Sequence, residues 1–328
     1  RVIIVDPVPV ASLTAFSDRC VDVGSFNLTG GAPAGGVYLY NGSTATTFDP
    51  SAVGAGTYTI KYAFSNTCGT DTATRTIKVN SLPTVTLSAL SAVCAGAPAF
   101  SLSGGSPVGG TYNGTGVNST TGIFTPSSAT AGTYTITYSY TDGNSCSNTA
   151  TQNITVNAQP TVTLGNFTAV CIDNGLVALT TGLPTPGNYS GTGVSGTNFN
   201  PIAATAGTHT ITYKHTDGNS CTDSASKTIR VNALPSVSLG ALSSVCVNAS
   251  AVTLSGGSPT GGTYSGTGVN STTGVFSPTT AGIGTHKITY TYGDANGCTD
   301  TASQMITVNG LPTVTLSALS AVCAGAPA

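Results

Sequence analysis

The chain has 328 residues, a net charge of −2 and only 6% charged side chains, with no Trp and with all eleven acids Asp rather than Glu. Near-neutral charge without a basic stretch argues against nucleic acid and anionic membrane surfaces as partners, and no apolar run approaches the ~20 residues that span a bilayer, so no direct membrane insertion is expected of this stretch. Hydrophobic residues at 39% separate the chain from disordered low-complexity tracts despite 42 Gly and 17 Pro, and the lack of helix formers points to an all-β fold.

Aligned against itself, the sequence repeats. Pro9, Pro83, Pro160, Pro235 and Pro312 recur with a period of about 75 residues, and Cys20, Cys94, Cys171, Cys246 and Cys323 keep the same steps. A parallel series runs through Cys68, Cys146, Cys221 and Cys298. The segment "LPTVTLSALSAVCAGAPA" at 311–328 repeats residues 82–99 letter for letter. The pattern divides the chain into a tail of one repeat (1–6), four whole repeats (7–80, 81–157, 158–232 and 233–309) and the start of a further one (310–328). It reads as a window onto a longer array.

Within the second repeat the elements follow in order. "TVTLSAL", "AFSLSGG", "GTYNGTGV" and "GIFTP" are short strand candidates between Gly and Pro turns, and "GTGVNSTTG" reads as a turn or bulge, since no helix follows it to bind a phosphate. "TYTITYSYT" alternates strictly, with Tyr134, Ile136, Tyr138 and Tyr140 on the inner face and Thr or Ser on the other. "TDGNSC" then supplies a hairpin turn and "TATQNITV" the returning strand. Six or seven strands in about 75 residues, with no helical stretch, predict a small two-sheet β-sandwich, and the tandem array is expected to form an extended rod with short Pro-containing linkers.

Cysteine spacings of about 50 residues within the repeats are far too long for a zinc site's close pairs, so Cys20, Cys68, Cys94, Cys146, Cys171, Cys221, Cys246 and Cys298 are disulfide candidates and imply an oxidising exterior. Bonds inside each repeat are expected, although a regular sandwich could place the two cysteines at opposite ends; bonds between neighbouring repeats, or free buried thiols, are the alternatives. Cys323 is expected to begin a further pair.

The oxygen-rich turns holding Asp142 and Asn144, Asp217 and Asn219, and Asp294 and Asn296 are weak calcium candidates. One carboxylate per turn is few for a cation that takes six to eight oxygens, so a structural turn is the preferred reading and no other cofactor is expected. His209 and His286 fill the slot of Tyr58 and Tyr134, and His215 that of Phe64 and Tyr140, which reads as aromatic substitution in a core. No catalytic set emerges, and an enzyme is not expected.

Residues 262–309, "GTYSGTGVNSTTGVFSPTTAGIGTHKITYTYGDANGCTDTASQMITVN", resemble the Ig-like or PKD-like tandem repeats of giant Bacteroidetes cell-surface proteins, including gliding-motility adhesins exported by type IX secretion. The "DANGC" turn, the following "T-x-T-A" and the closing "ITV" carry the likeness, and "AGTY" resembles the tyrosine corner of Ig-like domains. The resemblance implies extracellular display on a bacterial cell surface and a role in adhesion, gliding or surface filaments. It also makes Thr72, Ser224 and Thr301 O-glycosylation candidates, each within an Asp-Ser/Thr-Ala triplet that could equally just begin the last strand. Two functions follow: a structural stalk or fibre whose partners are further repeats or copies of itself, or a set of multivalent modules that bind surface glycans.

Overall fold

The computed structural model describes residues 1, 3 and 5–318. They are nearly all β and form two compact units, one of residues 1, 3 and 5–160 with 217–221, the other of residues 161–216 with 222–318. No helix among the described residues is long and apolar enough to cross a membrane.

The second repeat shows how the sequence builds each sandwich. Strict alternation makes Gly132–Thr141 and Ser147–Asn157 a long antiparallel hairpin, paired continuously from Gly132↔Val156 to Thr141↔Ser147. Thr111–Asn113 pairs on one side of it and Val93–Cys94 runs parallel on the other, completing a four-stranded sheet. A smaller sheet of Phe100–Ser101, Ile123–Phe124 and Val117–Asn118 accompanies it, with Thr86–Leu87 paired to Gly105–Ser106. The third and fourth repeats keep this order; in the first, Ser43–Thr44 adds a fifth strand to the larger sheet. The fold is therefore the expected tandem array of β-sandwiches, and "GTGVNSTTG" is the expected turn, with Asn118 Oδ1 accepting from the Thr120 and Thr121 N–H groups.

The inner face predicted from alternation is the core. Ile136 and Phe124 are fully buried among Leu87, Leu102, Tyr138, Ile154 and Val156, and each repeat has its own such cluster. At roughly 25 cal/mol per Å², each fully buried Ile or Phe contributes about 1.5–3 kcal/mol.

One expectation fails. Each repeat contains a single α-helical turn, Pro50–Val53, Pro126–Ala129, Pro201–Ala204 and Pro278–Ala281, where the sequence reading predicts no helix. Composition hides a local signal: Asp49, Thr125, Asn200 and Ser277 precede Pro at the first helical position, the pairing of a capping side chain with a residue whose missing N–H costs nothing there. Asp49, Asn200 and Ser277 accept backbone N–H bonds as caps.

The "AGTY" corner forms as the resemblance implies. Tyr58 donates to the Val53 carbonyl at 2.7 Å, and Tyr134 to that of Ala129. His209 and His286 substitute for it, their Nε2–H donating to the Thr205 and Gly282 carbonyls, each at 2.9 Å. His215 is buried and its Nδ1 bonds the Pro186 carbonyl at 2.7 Å. All three histidines thus replace aromatic residues in structural contacts.

Candidate functional site

The turn at the tip of each long hairpin is the most constructed feature of the surface. In Asp142–Cys146, Asp142 Oδ1 accepts from the backbone N–H groups of Asn144 and Cys146, both at 2.9 Å, while Ser145 takes a left-handed φ of 63°. Asp217 does the same for Asn219 and Cys221, and Asp294 for Asn296 and Cys298, with Ser220 and Gly297 in the left-handed position. The effect is to fold the chain so that the cysteine side chain is buried: Cys146 and Cys221 have no exposed surface and Cys298 has 1%.

These turns carry the disulfides, and the expected pairing inside each repeat is corrected. Cys20 bonds Cys146, Cys94 bonds Cys221 and Cys171 bonds Cys298, so the first cysteine of one repeat takes the turn cysteine of the next. The physical reason is the length of the hairpin. Cys94 pairs with Asn157 at the base of the sheet, whereas Cys146 lies just beyond the Thr141↔Ser147 end. About ten residues at roughly 3.3 Å each put the two cysteines of one repeat ~30 Å apart, and a disulfide requires Cα atoms within about 7 Å. The bonded Cα pairs lie 5.5–5.6 Å apart. Through the second bond, the turn 217–221 belongs to the first compact unit.

Among the described residues Cys68 and Cys246 are outside any disulfide, and both are exposed. The first repeat's turn is shorter, with Asn66 paired directly to Gly69, and the Cys68 thiol donates to the Asp6 carbonyl. Cys246 pairs along Asn309 in the same register that Cys94 and Cys171 use. Cys323 lies outside the described residues.

The calcium candidates are the turn residues themselves. Their carboxylates are engaged by backbone donors, which is the structural use of Asp in a turn, and no cluster of three or more His, Cys, Asp or Glu able to hold a metal occurs among the described residues. The Cys146 N–H holds the Asp142 carboxyl below its usual value of 3.8, with the Asn144 donors adding to it, and the side chain of Asn296 and the N–H of Cys298 do the same for Asp294. A carboxylate depressed in the fold contributes stability above the unfolded value and loses it as pH falls through the folded one. Between about pH 5 and pH 2 the wild-type protein is therefore expected to lose more stability than Asp142→Asn, whose amide oxygen still accepts both bonds but does not titrate. Equal slopes in urea denaturation across that range would contradict this.

Thr72, Ser224 and Thr301 all lie exposed on the last strand, opposite Ala63, Lys214 and Thr291, so both readings of their triplets fit the geometry. Elsewhere, a half-open cleft of about 270 Å³ in the second repeat is lined by Leu90, Val93, Phe100, Leu102 and Ile154. The fourth repeat has its counterpart of about 220 Å³ at Leu242, Val245, Val252, Leu254 and Ile306.

No protein-family model and no curated protein matches the chain. Solved structures do. An adhesin described as Ca2+-stabilized, which helps an Antarctic bacterium reach out and bind ice, aligns over 91% of this chain and all of its own, at 17% identity and a TM-score of 0.35. The N-terminal eight Ig domains of Down Syndrome Cell Adhesion Molecule align over 91% of this chain and 49% of theirs, at 12% identity and 0.31, so the chain spans about half of that structure. A SusE-like, surface-located polysaccharide-binding protein from the Bacteroides thetaiotaomicron heparin utilisation locus aligns over 91% of this chain and 72% of its own, at 10% identity and 0.26.

Proposed function

We propose that the chain is a structural segment, a stalk or fibre, of a large extracellular repeat protein displayed on a bacterial cell surface, with the repeat boundaries given by the sequence period. The observation that carries this reading is the pairing of each repeat's first cysteine with the next repeat's turn. Three equivalent bonds couple successive repeats, an arrangement with an obvious use in holding an array together and none in catalysis. Disulfides persist in oxidising surroundings, which supports an extracellular location. The resemblance to Bacteroidetes surface repeats supports adhesion, gliding or filament formation as the setting.

Sedimentation velocity with small-angle scattering, on the oxidised protein over a concentration series, tests it. A stalk is expected to remain an extended monomer at all concentrations, and a fibre subunit to associate; a collapsed, compact monomer would sink both. The second reading, that the repeats themselves bind glycans, is favoured by the recurrence of the same cleft in the second and fourth repeats. Binding of surface polysaccharide by the oxidised protein, weakened by Phe100→Ser, would favour it over the stalk.

A further inference from the structure

The disulfides are staggered rather than merely numerous, and the stagger has a mechanical consequence. Cys20 is joined to Cys146 and Cys171 to Cys298, so a covalent path from Cys20 to Cys298 needs only the backbone from Cys146 to Cys171, plus two bonds. Without the bonds, the path is the whole backbone from Cys20 to Cys298. The third bond, Cys94–Cys221, straddles the short path: the detour through it runs back from Cys146 to Cys94 and then from Cys221 to Cys171, so it stays slack while the other two hold.

We propose that this connectivity makes the array an extension limiter, which keeps its sandwiches from being pulled out into extended chain under tension. At about 3.5 Å per residue, the ~25 residues of the short path reach ~90 Å and the ~278 residues of the full backbone reach ~970 Å. Oxidation thus cuts the available length about tenfold. In each shielded stretch, 20–146 and 171–298, the backbone lies off the taut path and unfolding it releases no length. The stagger also gives reserve. If Cys20–Cys146 opens, the path runs along the chain to Cys94, across to Cys221 and back to Cys171, a limit of ~124 residues. If Cys171–Cys298 opens instead, it runs from Cys146 back to Cys94, across to Cys221 and on to Cys298, a limit of ~129 residues. Opening one bond never frees the whole chain.

The limit follows from covalent connectivity; only its use, bearing tension between two points, rests on the stalk reading. Optical-tweezers stretching of the protein, held at its two ends and oxidised, tests it against the same molecules in dithiothreitol; the tails outside Cys20 and Cys298 extend alike in both. The stretch between those cysteines is expected to reach no more than ~25 residues of contour oxidised and up to ~278 residues reduced. Cys94→Ser with Cys221→Ser should leave the limit at ~25, Cys20→Ser with Cys146→Ser should raise it to ~124, and Cys171→Ser with Cys298→Ser to ~129. These limits hold whether or not a variant folds fully. Bonds within repeats would instead leave the segments Cys68–Cys94, Cys146–Cys171 and Cys221–Cys246 on the path, ~76 residues together, and that value, or full extension while oxidised, would overturn the proposal. A correct set of limits in a protein that sediments as a compact monomer would retain the limiter and discard the stalk.

Discussion

Replacing Cys20 and Cys146 together by serine is expected to cost about 4–5 kcal/mol of stability, the largest effect of any change outside the cores. The bond closes a loop with a sequence separation of 126, and in the chain-entropy model a loop of ~100 residues is worth about 4.7 kcal/mol, growing only logarithmically beyond that. Burial adds to the cost, because Cys146 has no exposed surface and serine brings a hydroxyl to a site shaped for sulfur. Loop length alone does not distinguish this bond from one within a repeat, since a ~50-residue loop is worth about 4 kcal/mol by the same model. The distribution of the loss does. A bond within a repeat would stabilise one sandwich, whereas this one ties two, so the denaturation of the first and second repeats should both shift while the fourth holds. Guanidinium titration followed by hydrogen exchange on each repeat reads this directly, with Cys68→Ser as the control. Cys68 is exposed and forms no disulfide, and a serine hydroxyl can donate to the Asp6 carbonyl in place of its thiol, so its substitution is expected to leave every repeat unchanged. A loss confined to one repeat would mean that the bond does not couple them.

What the sequence reveals about this protein depends on how local each signal is. Period-two alternation in Thr133–Thr141 announces a half-buried strand because each side chain's face is fixed by its neighbours alone, and Ile136 and Tyr138 are buried as that pattern requires. The repeat period is just as visible, since prolines and cysteines recur at near-equal steps and residues 311–328 repeat 82–99 letter for letter. The disulfide partners are not, because they depend on where the hairpin's two ends fall. A signal is nonetheless present: once the hairpin strands are taken at their full length, Cys94 at the base and Cys146 at the tip cannot meet, and only the partner's identity stays hidden. The helical turns escape for the opposite reason, as four residues leave no periodicity and only the capping residue before Pro betrays them. The histidines illustrate a third case. His209 is legible as a replacement for Tyr134, yet what it preserves, a tie to the preceding helical turn made by a ring N–H to the Thr205 carbonyl where tyrosine uses its O–H to the Ala129 carbonyl, needs coordinates.

The glycines two residues before Tyr38, Tyr112, Tyr189 and Tyr264 supply the second large effect. Gly110→Ala is expected to destabilise the second repeat by about 2–3 kcal/mol, because a Cβ at that position would stand 2.3 Å from the Ser139 carbonyl oxygen and 2.5 Å from the Tyr138 ring. The close approach exists for a reason. Tyr138 lies beneath the loop, donating to the Pro107 carbonyl at 2.5 Å and accepting from the Gly110 N–H at 2.7 Å, so a side chain there would lift the loop off the ring that anchors it. Gly36, Gly187 and Gly262 face Tyr62, Tyr213 and Tyr290 in the same way in the other repeats. Its neighbour provides the contrast: Gly109 has open space around it but a φ of +95°, so Gly109→Ala should cost only about 1 kcal/mol, from backbone conformation. Shrinking the ring should not rescue Gly110→Ala. In Tyr138→Leu the aromatic obstacle is gone, but the Ser139 carbonyl is held in the ladder between Thr111 and Thr149 and cannot withdraw. Thermal denaturation of the two single variants and the double decides the point. If the double variant recovers the stability of Tyr138→Leu alone, the ring rather than the backbone sets the limit; if it remains lower by the same ~2–3 kcal/mol, glycine is required there by the approach of two backbones.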